Sequence, residues 1–270
     1  MSDPRPIGVF DSGVGGLTVA AALARATPAE SILYLGDTAR LPYGTKSGQT
    51  VARYTQTNVD FLLARDVKAV VIACNTASAL GLPGLVADVP VWGVIEPGAR
   101  RAAAVSRGRV GILATESTVR SGAYAAALAR LRPELEVLSQ AAPLLVPLIE
   151  EGWLDDPVTR EVIARYLAPL LEARIDTLVL GCTHYPLVAP LLAAAAGPGV
   201  TLVDSAEAVA AEVAAELAAR GLAAERHAGE DHVFVTDAAE RFTRLAHEIS
   251  RRPIRLELVD LSPSETGADR

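Results

Sequence analysis

A short apolar run that closes on cysteine and a polar pair occurs twice in this chain. It reads Val70-Val71-Ile72-Ala73-Cys74-Asn75-Thr76-Ala77 the first time and Leu178-Val179-Leu180-Gly181-Cys182-Thr183-His184-Tyr185 the second. An unbroken run of β-branched residues and leucine is the pattern of a parallel strand buried on both faces, so each cysteine is expected where a strand gives way to a helix. These are the only two cysteines of the 270 residues. A lone cysteine at a strand end is ordinarily a small core hydrophobe. Recurrence in a matched context argues for more than that. Arg109-Val110-Gly111-Ile112-Leu113 echoes Pro6-Ile7-Gly8-Val9-Phe10, and Glu96 and Asp204 fall at equal distances after the two cysteines. Several matches in one order point to duplication. The expected fold class is α/β: two pseudo-symmetric domains, each a mostly parallel sheet flanked by helices, with an active site in the cleft between them. Residues 1–97, completed by 207–260, make the first domain, and residues 98–206 the second; 261–270 are expected to be a disordered tail.

Half the residues are hydrophobic but only 4% are aromatic, so the core must be built of Ala, Leu and Val, which suits helices packed closely on a sheet. The formal charge of -7 opposes binding to a phosphate backbone, and nucleic acid is not expected as a partner. No apolar run approaches the roughly 20 residues of a membrane span, and the chain enters a strand at Ile7 without a signal-peptide core. The expected location is therefore the cytoplasm, with no membrane partner. There the thiols stay reduced, and two cysteines so far apart form neither a CxxC redox pair nor half of a zinc site, so no metal is expected.

In chain order, Ile7 to Phe10 reads as a strand, and Asp11-Ser12-Gly13-Val14-Gly15-Gly16-Leu17-Thr18 as a glycine-rich turn into a helix. Such turns present backbone N–H groups to an anion. A dinucleotide fingerprint starting at Gly13 would need glycine where Thr18 stands. Asp11 is either a helix cap or a ligand group at the strand end, where open α/β sheets bind ligands. The strand Ile32–Gly36 ends in Asp37-Thr38-Ala39-Arg40-Leu41-Pro42-Tyr43-Gly44, either an ordinary turn or a loop that closes on a ligand through Arg40 or Tyr43. Helices are expected over Gln49–Arg65, Ser117–Leu131, Pro157–Leu171, Ala206–Ala219 and Ala238–Ile249, with Val91–Ile95, Thr201–Asp204 and His232–Thr236 as further strands. A thiol at a helix N-terminus has its thiolate favoured by unpaired N–H groups, so Cys74 is expected to be more acidic than a free thiol. His184, two residues beyond Cys182, is placed to exchange a proton with it. Pro143–Gly152 is apolar up to the acids Glu150 and Glu151, either of which can face the cleft.

Four of these stretches, Asp11–Gly16, Asp37–Gly44, Ala73–Ala77 and Gly181–Pro186, taken together resemble the glutamate racemase family over nearly the whole chain. The resemblance implies cofactor-independent interconversion of L- and D-glutamate for peptidoglycan synthesis, with glutamate as partner and a homodimer as assembly. It implies that Cys74 and Cys182 transfer the protons, assisted by Asp11 and His184. Substrate contacts carried over by motif are Asp11, Ser12, Pro42, Tyr43, Gly44, Asn75, Thr76, Thr118, Thr183 and His184; Asp37, Thr115 and Glu150 are further candidates. The chain departs from the family where Ala114 and Ser117 replace glycines of the second-half loop. Two other readings share these motifs: an aspartate or hydantoin racemase, and a non-catalytic protein that binds an amino acid for regulation.

Overall fold

The computed structural model describes residues 2–227, 230–237 and 254–261, together with Phe242, Thr243, Ala246 and Ile249. The expected helix at 238–249 lies mostly outside the described residues, and so does the expected tail at 261–270, of which only Leu261 is described. Two sheets organise the chain, and every strand pairing in them is parallel. The first contains β1 (Ile7–Asp11), β2 (Ile32–Gly36), β3 (Ala69–Ile72), β4 (Val91–Gly93), β9 (Asp231–Val235) and β10 (Ile254–Leu258), in the order β10-β9-β2-β1-β3-β4. The second contains β5 (Arg109–Ala114), β6 (Glu136–Ala141), β7 (Thr177–Gly181) and β8 (Thr201–Asp204), in the order β6-β5-β7-β8. The segment β2-β1-β3-β4 and the whole of β6-β5-β7-β8 thus repeat one strand order.

Central strands need both faces covered, and these are. Every residue of β1, β2, β3 and β7 is buried. In the first half α1 (Leu17–Ala26) and α10 (Ser205–Ala219) cover one face, where Leu17, Val19 and Leu23 meet Val209, Val213 and Leu217. The other face packs on α2 (Gly48–Leu63) through Val51, Val59 and Leu62. In the second half α4 (Ile95–Val105) and α6 (Ala123–Leu131) cover one face, and α8 (Pro157–Glu172) and α9 (Ala189–Ala196) the other.

Three local departures from the sequence pattern have physical causes. The single helix expected over Ser117–Leu131 is two, α5 (Glu116–Ser121) and α6, because Gly122 sits between them at φ +66, a conformation that ends a helix and that glycine adopts without penalty. Cys182 is followed by a tight 3-10 turn, Tyr185–Val188, with Pro186 in its first turn, before α9 begins; Cys74 leads directly into α3 (Asn75–Leu80). The third concerns the acids. Strand pairing sets Gly93 against Ile72 and Asp204 against Leu180, so Gly93, not Glu96, is the counterpart of Asp204. Glu96 lies in α4, bonded to Arg130 on the surface, whereas Asp204 caps α10 through the Ala206 N–H at 2.8 Å.

β3, the strand that delivers Cys74, is anchored at its start by a buried cation. Lys68 Nζ lies 2.6 Å from Glu30 Oε2 and donates to the carbonyls of Asp3 (2.6 Å) and Leu222 (2.7 Å), and Glu30 Oε1 accepts from the Ala224 N–H at 2.8 Å. Three distant segments thereby meet at one ammonium. Removing one member of a buried pair leaves a charge with no partner, at a cost of about 3–5 kcal/mol. Lys68→Met is expected to lower the unfolding free energy in urea by about that amount, and Lys68→Met with Glu30→Leu to recover part of it.

Candidate active site

Parallel strands carry their C-terminal ends to one side, and the loops that follow them in both halves line a single cavity of about 320 Å³. The first half contributes Ser12 after β1, the loop 41–45 after β2, and Cys74, Asn75 and Thr76 after β3. From the second half come Thr115 and Glu116 after β5, residues of 143–151 after β6, and Gly181 to His184 after β7. Both cysteines line it, and both are otherwise buried. Its size is that of an ordinary small-molecule site.

Each thiol has its own surroundings. Cys74 caps α3, accepting from the Ala77 N–H at 3.4 Å, and lies 3.6 Å from Ser12 Oγ. Cys182 Sγ lies 3.9 Å from His184 Nδ1, and the other ring nitrogen of His184 lies 3.2 Å from Glu150 Oε1. Of the two adjacent acids, Glu150 is therefore the one joined to the thiol's neighbour, while Glu151 is exposed at the rim. Thr76, Thr115 and Thr118 form a triangle of hydroxyls with sides of 3.0, 3.1 and 3.1 Å. Thr76 and Thr115 line the cavity and Thr118 backs them.

The halves touch where side chains are missing. A Cβ on Gly15 would stand 2.5 Å from His184 Nδ1 and 2.6 Å from Thr183 Oγ1, and one on Gly44 would stand 2.8 Å from the Cβ of Thr115. Only glycine permits either approach. Ser117, where the family resemblance expects glycine, donates to the carbonyl of Lys46 and so adds a link between the second-half loop and the first half.

Of the residues singled out by sequence, Ser12, Pro42, Tyr43, Gly44, Thr115, Glu150, Thr183 and His184 join the cysteines, Asn75 and Thr76 on the cavity wall. Asp11, Asp37 and Thr118 lie behind it. Asp11 is wholly buried, accepting from the Gly13 N–H (2.9 Å) and the Thr183 hydroxyl (3.3 Å), and so bridges the halves from beneath. The Asp37 carboxylate is occupied by Arg40 Nε at 2.7 Å, the Thr236 hydroxyl at 3.2 Å and the Tyr43 hydroxyl. Neither Arg40 nor the Tyr43 hydroxyl thus supplies a polar contact to the cavity; Arg40 stacks on Tyr54 at 4.4 Å. What the loop offers is the backbone of a 3-10 turn, Tyr43–Thr45, whose opening N–H groups lack intrahelical partners. Sequence reasoning missed the apolar side of the cavity, Leu41, Val146 and Pro147. Their only signal was membership of the Pro143–Gly152 run and the Pro42 loop.

Comparison with known proteins fits this geometry. The sequence profile of the Asp/Glu/Hydantoin racemase family matches residues 7–213. A glutamate racemase from Geobacter metallireducens is 52% identical over 248 residues, covering 90% of this chain and 92% of its own. The crystal structure of a glutamate racemase isoform from Bacillus anthracis superposes with a TM-score of 0.92 at 40% identity, covering 95% of this chain and 98% of its own. That of the Francisella tularensis glutamate racemase in complex with D-glutamate gives 0.90 at 35% identity, with 96% and 99% covered. This chain belongs to the glutamate racemase family. It is accordingly an isomerase of the racemase class, and no helix among its described residues is long and apolar enough to cross a membrane. No cluster of metal-ligating side chains occurs among the described residues either.

The electrostatics of this racemase site differ from the sequence expectation at one point. Burial pushes the Cys74 thiol up to about 12, reinforced by the nearby Asp11 charge, and the Ala77 N–H and Ser12 offset only part of this. The expected acidification by the helix N-terminus is present and is outweighed. Asp11 itself is raised by burial, against the opposing pull of His184 and its hydrogen bonds. His184 goes the other way. Burial disfavours its cation, but the hydrogen bonds to Cys182 and Glu150 and the charges of Cys182 and Asp11 more than compensate, holding it up to about 10. An imidazolium therefore stands beside Cys182. Among the lining residues described there is no Lys or Arg, so His184 is the cavity's one basic side chain.

Because folding raises the His184 value from 6.5 to about 10, its stabilising contribution is complete below 6.5, shrinks as pH rises, and is gone above about 10. The melting temperature is expected to fall between pH 6.5 and 9, and His184→Gln to flatten that slope in thermal denaturation followed by circular dichroism.

Proposed function

We propose that this enzyme interconverts L- and D-glutamate without a cofactor, with Cys74 and Cys182 as its two proton-transfer groups. One observation carries the reading: a thiol from each half opens onto the same cavity. Inverting a stereocentre by proton transfer requires a base on one face of the α-carbon and an acid on the other, and a single group would have to travel between them. Starting from L-glutamate, Cys182 as thiolate takes the α-proton while the Cys74 S–H gives its own to the opposite face. The reaction ends with Cys182 protonated and Cys74 as thiolate, ready for the D enantiomer. The protonated resting state of Cys74 suits the donor this direction needs. His184, cationic beside Cys182, steadies the negative sulfur, and Asp11 orients Thr183 and acts on Cys74 through its charge.

The difficult step is removing a proton from carbon next to a carboxylate with no pyridoxal to spread the charge. Charge that grows on the carboxylate must be met by fixed dipoles. The cavity supplies neutral donors for this: the Ser12, Thr76, Thr115 and Thr183 hydroxyls, the Asn75 amide, and backbone N–H groups of the Pro42-Tyr43-Gly44 turn, with Thr118 supporting. Residues 1–97 with 207–260, and residues 98–206, form the two lobes on either side of the substrate. A cytoplasmic homodimer supplying D-glutamate for peptidoglycan accords with the family.

In deuterated water, each glutamate enantiomer is expected to yield its antipode carrying deuterium at the α-carbon with no cofactor added, while aspartate exchanges far more slowly. Glutamate that binds but gains no label would overturn the catalytic reading, and faster exchange of aspartate would reassign the substrate. Enantiomers have equal free energies, so kcat/KM must match in the two directions for every variant. Cys74→Ala and Cys182→Ala are therefore each expected to lose about 10³-fold or more in both directions. Polarimetry of purified variants checks this.

A further inference from the structure

The hydroxyl of Tyr124 sits at the seam between the halves and serves no part of the mechanism above. Tyr124 lies on α6 of the second half and is 2% exposed, yet its hydroxyl donates across the seam to Asn75 Oδ1 of the first half at 2.7 Å. The Tyr124 proton is directed at Asn75. The asparagine is thereby fixed in one sense, oxygen toward tyrosine and nitrogen away from it.

That nitrogen is the second observation. Asn75 lines the cavity, is 3% exposed, and its Nδ2 is buried without a hydrogen-bond partner among the described residues. A buried donor with no acceptor is costly, and such groups mark places where a ligand completes the structure. The fold also makes room for the ring. A Cβ on Gly98 would come within 3.3 Å of the Tyr124 hydroxyl, and one on Gly181 within 3.3 Å of the ring itself. Gly181 immediately precedes Cys182, so Tyr124 is seated under both cysteine-bearing turns at once.

We propose that Tyr124 is a positioning residue that locks the Asn75 side-chain amide with its NH2 toward a carboxylate oxygen of the amino-acid substrate. This rests on the glutamate reading above. Asn75 makes the contact; Tyr124 prevents the amide from rotating to present its oxygen, which would repel a carboxylate. Because the bond joins the two halves, it also makes the amide's orientation depend on their being together.

Tyr124→Phe removes the hydroxyl and keeps the ring. It is expected to raise KM for both glutamate enantiomers about tenfold, the worth of one well-placed hydrogen bond, with a smaller loss in kcat from the charge that Asn75 meets as it grows on the carboxylate. Asn75→Ala is expected to raise KM at least as much, and Tyr124→Phe combined with Asn75→Ala no further than Asn75→Ala alone. A purely structural tyrosine would instead add its loss to that of Asn75→Ala. Unchanged KM in Tyr124→Phe, or multiplying losses in the double variant, would overturn the proposal. Should Tyr124→Phe be too unstable to purify, Asn75→Asp puts an acceptor where the NH2 stood; it is expected to weaken glutamate binding at least tenfold, and an unchanged Kd there overturns the proposal equally. Glutamate Kd from calorimetry separates the two readings. Binding without turnover in the unsubstituted protein sinks only the catalytic reading, and the Kd ratio between it and Tyr124→Phe still decides; no binding sinks both.

Discussion

Two parallel sheets that present the C-terminal ends of their strands to one another are the constraint on which the site depends. A parallel strand cannot turn back at that end; the chain must leave through a loop toward a helix. Those loops are where side chains escape the core, and here six of them, three from each half, meet around one cavity. The two cysteines occupy equivalent strand ends, so duplication alone carries one thiol to each side. What duplication does not supply is contact. The halves can approach because glycine stands at 15 and 44, where any side chain would collide with His184, Thr183 or Thr115.

Equivalence of position has not produced equivalence of chemistry. Cys74 is surrounded by a serine hydroxyl, a helix N–H and the buried Asp11, and it keeps its proton. Cys182 faces an imidazolium held in place by Glu150. In the two-thiol reading each turnover passes the charge from one sulfur to the other, so it meets different neighbours at the two ends of the reaction. The cavity's reliance on hydroxyls and amides, with no Lys or Arg among its described lining residues, keeps it from binding its ligand through mobile cations. Fixed neutral donors reorganise little as charge moves from carbon to oxygen.

Much of this was legible in the sequence. The strands beside Cys74 and Cys182 declared themselves by unbroken apolar runs, and the glycine-rich turn after Phe10 by its composition. Single-residue detail was not. The break at Gly122 was hidden because the helical pattern continues on both sides of it, and Glu96 passed for the counterpart of Asp204 because a sequence offset ignores loop length. Asp37 and Tyr43 read as ligand groups, yet their polar atoms serve each other beneath the loop. The helix-terminal cysteine was expected to be acidic, but sequence cannot weigh a helix dipole against burial. Tyr124 was invisible for a different reason: its partner Asn75 lies in the other half, and nothing local marks a tyrosine on an alanine-rich helix as anything but core.

The protonated state of Cys74 has a consequence for the enzyme's survival. Peroxides and alkylating electrophiles attack sulfur as its anion, and a sulfur that keeps its hydrogen offers them little to react with. In the reading given above, the anion forms there as L-glutamate is turned over and lasts until its proton is returned. The burial that holds the Cys74 proton in place thus also limits what such reagents can do there.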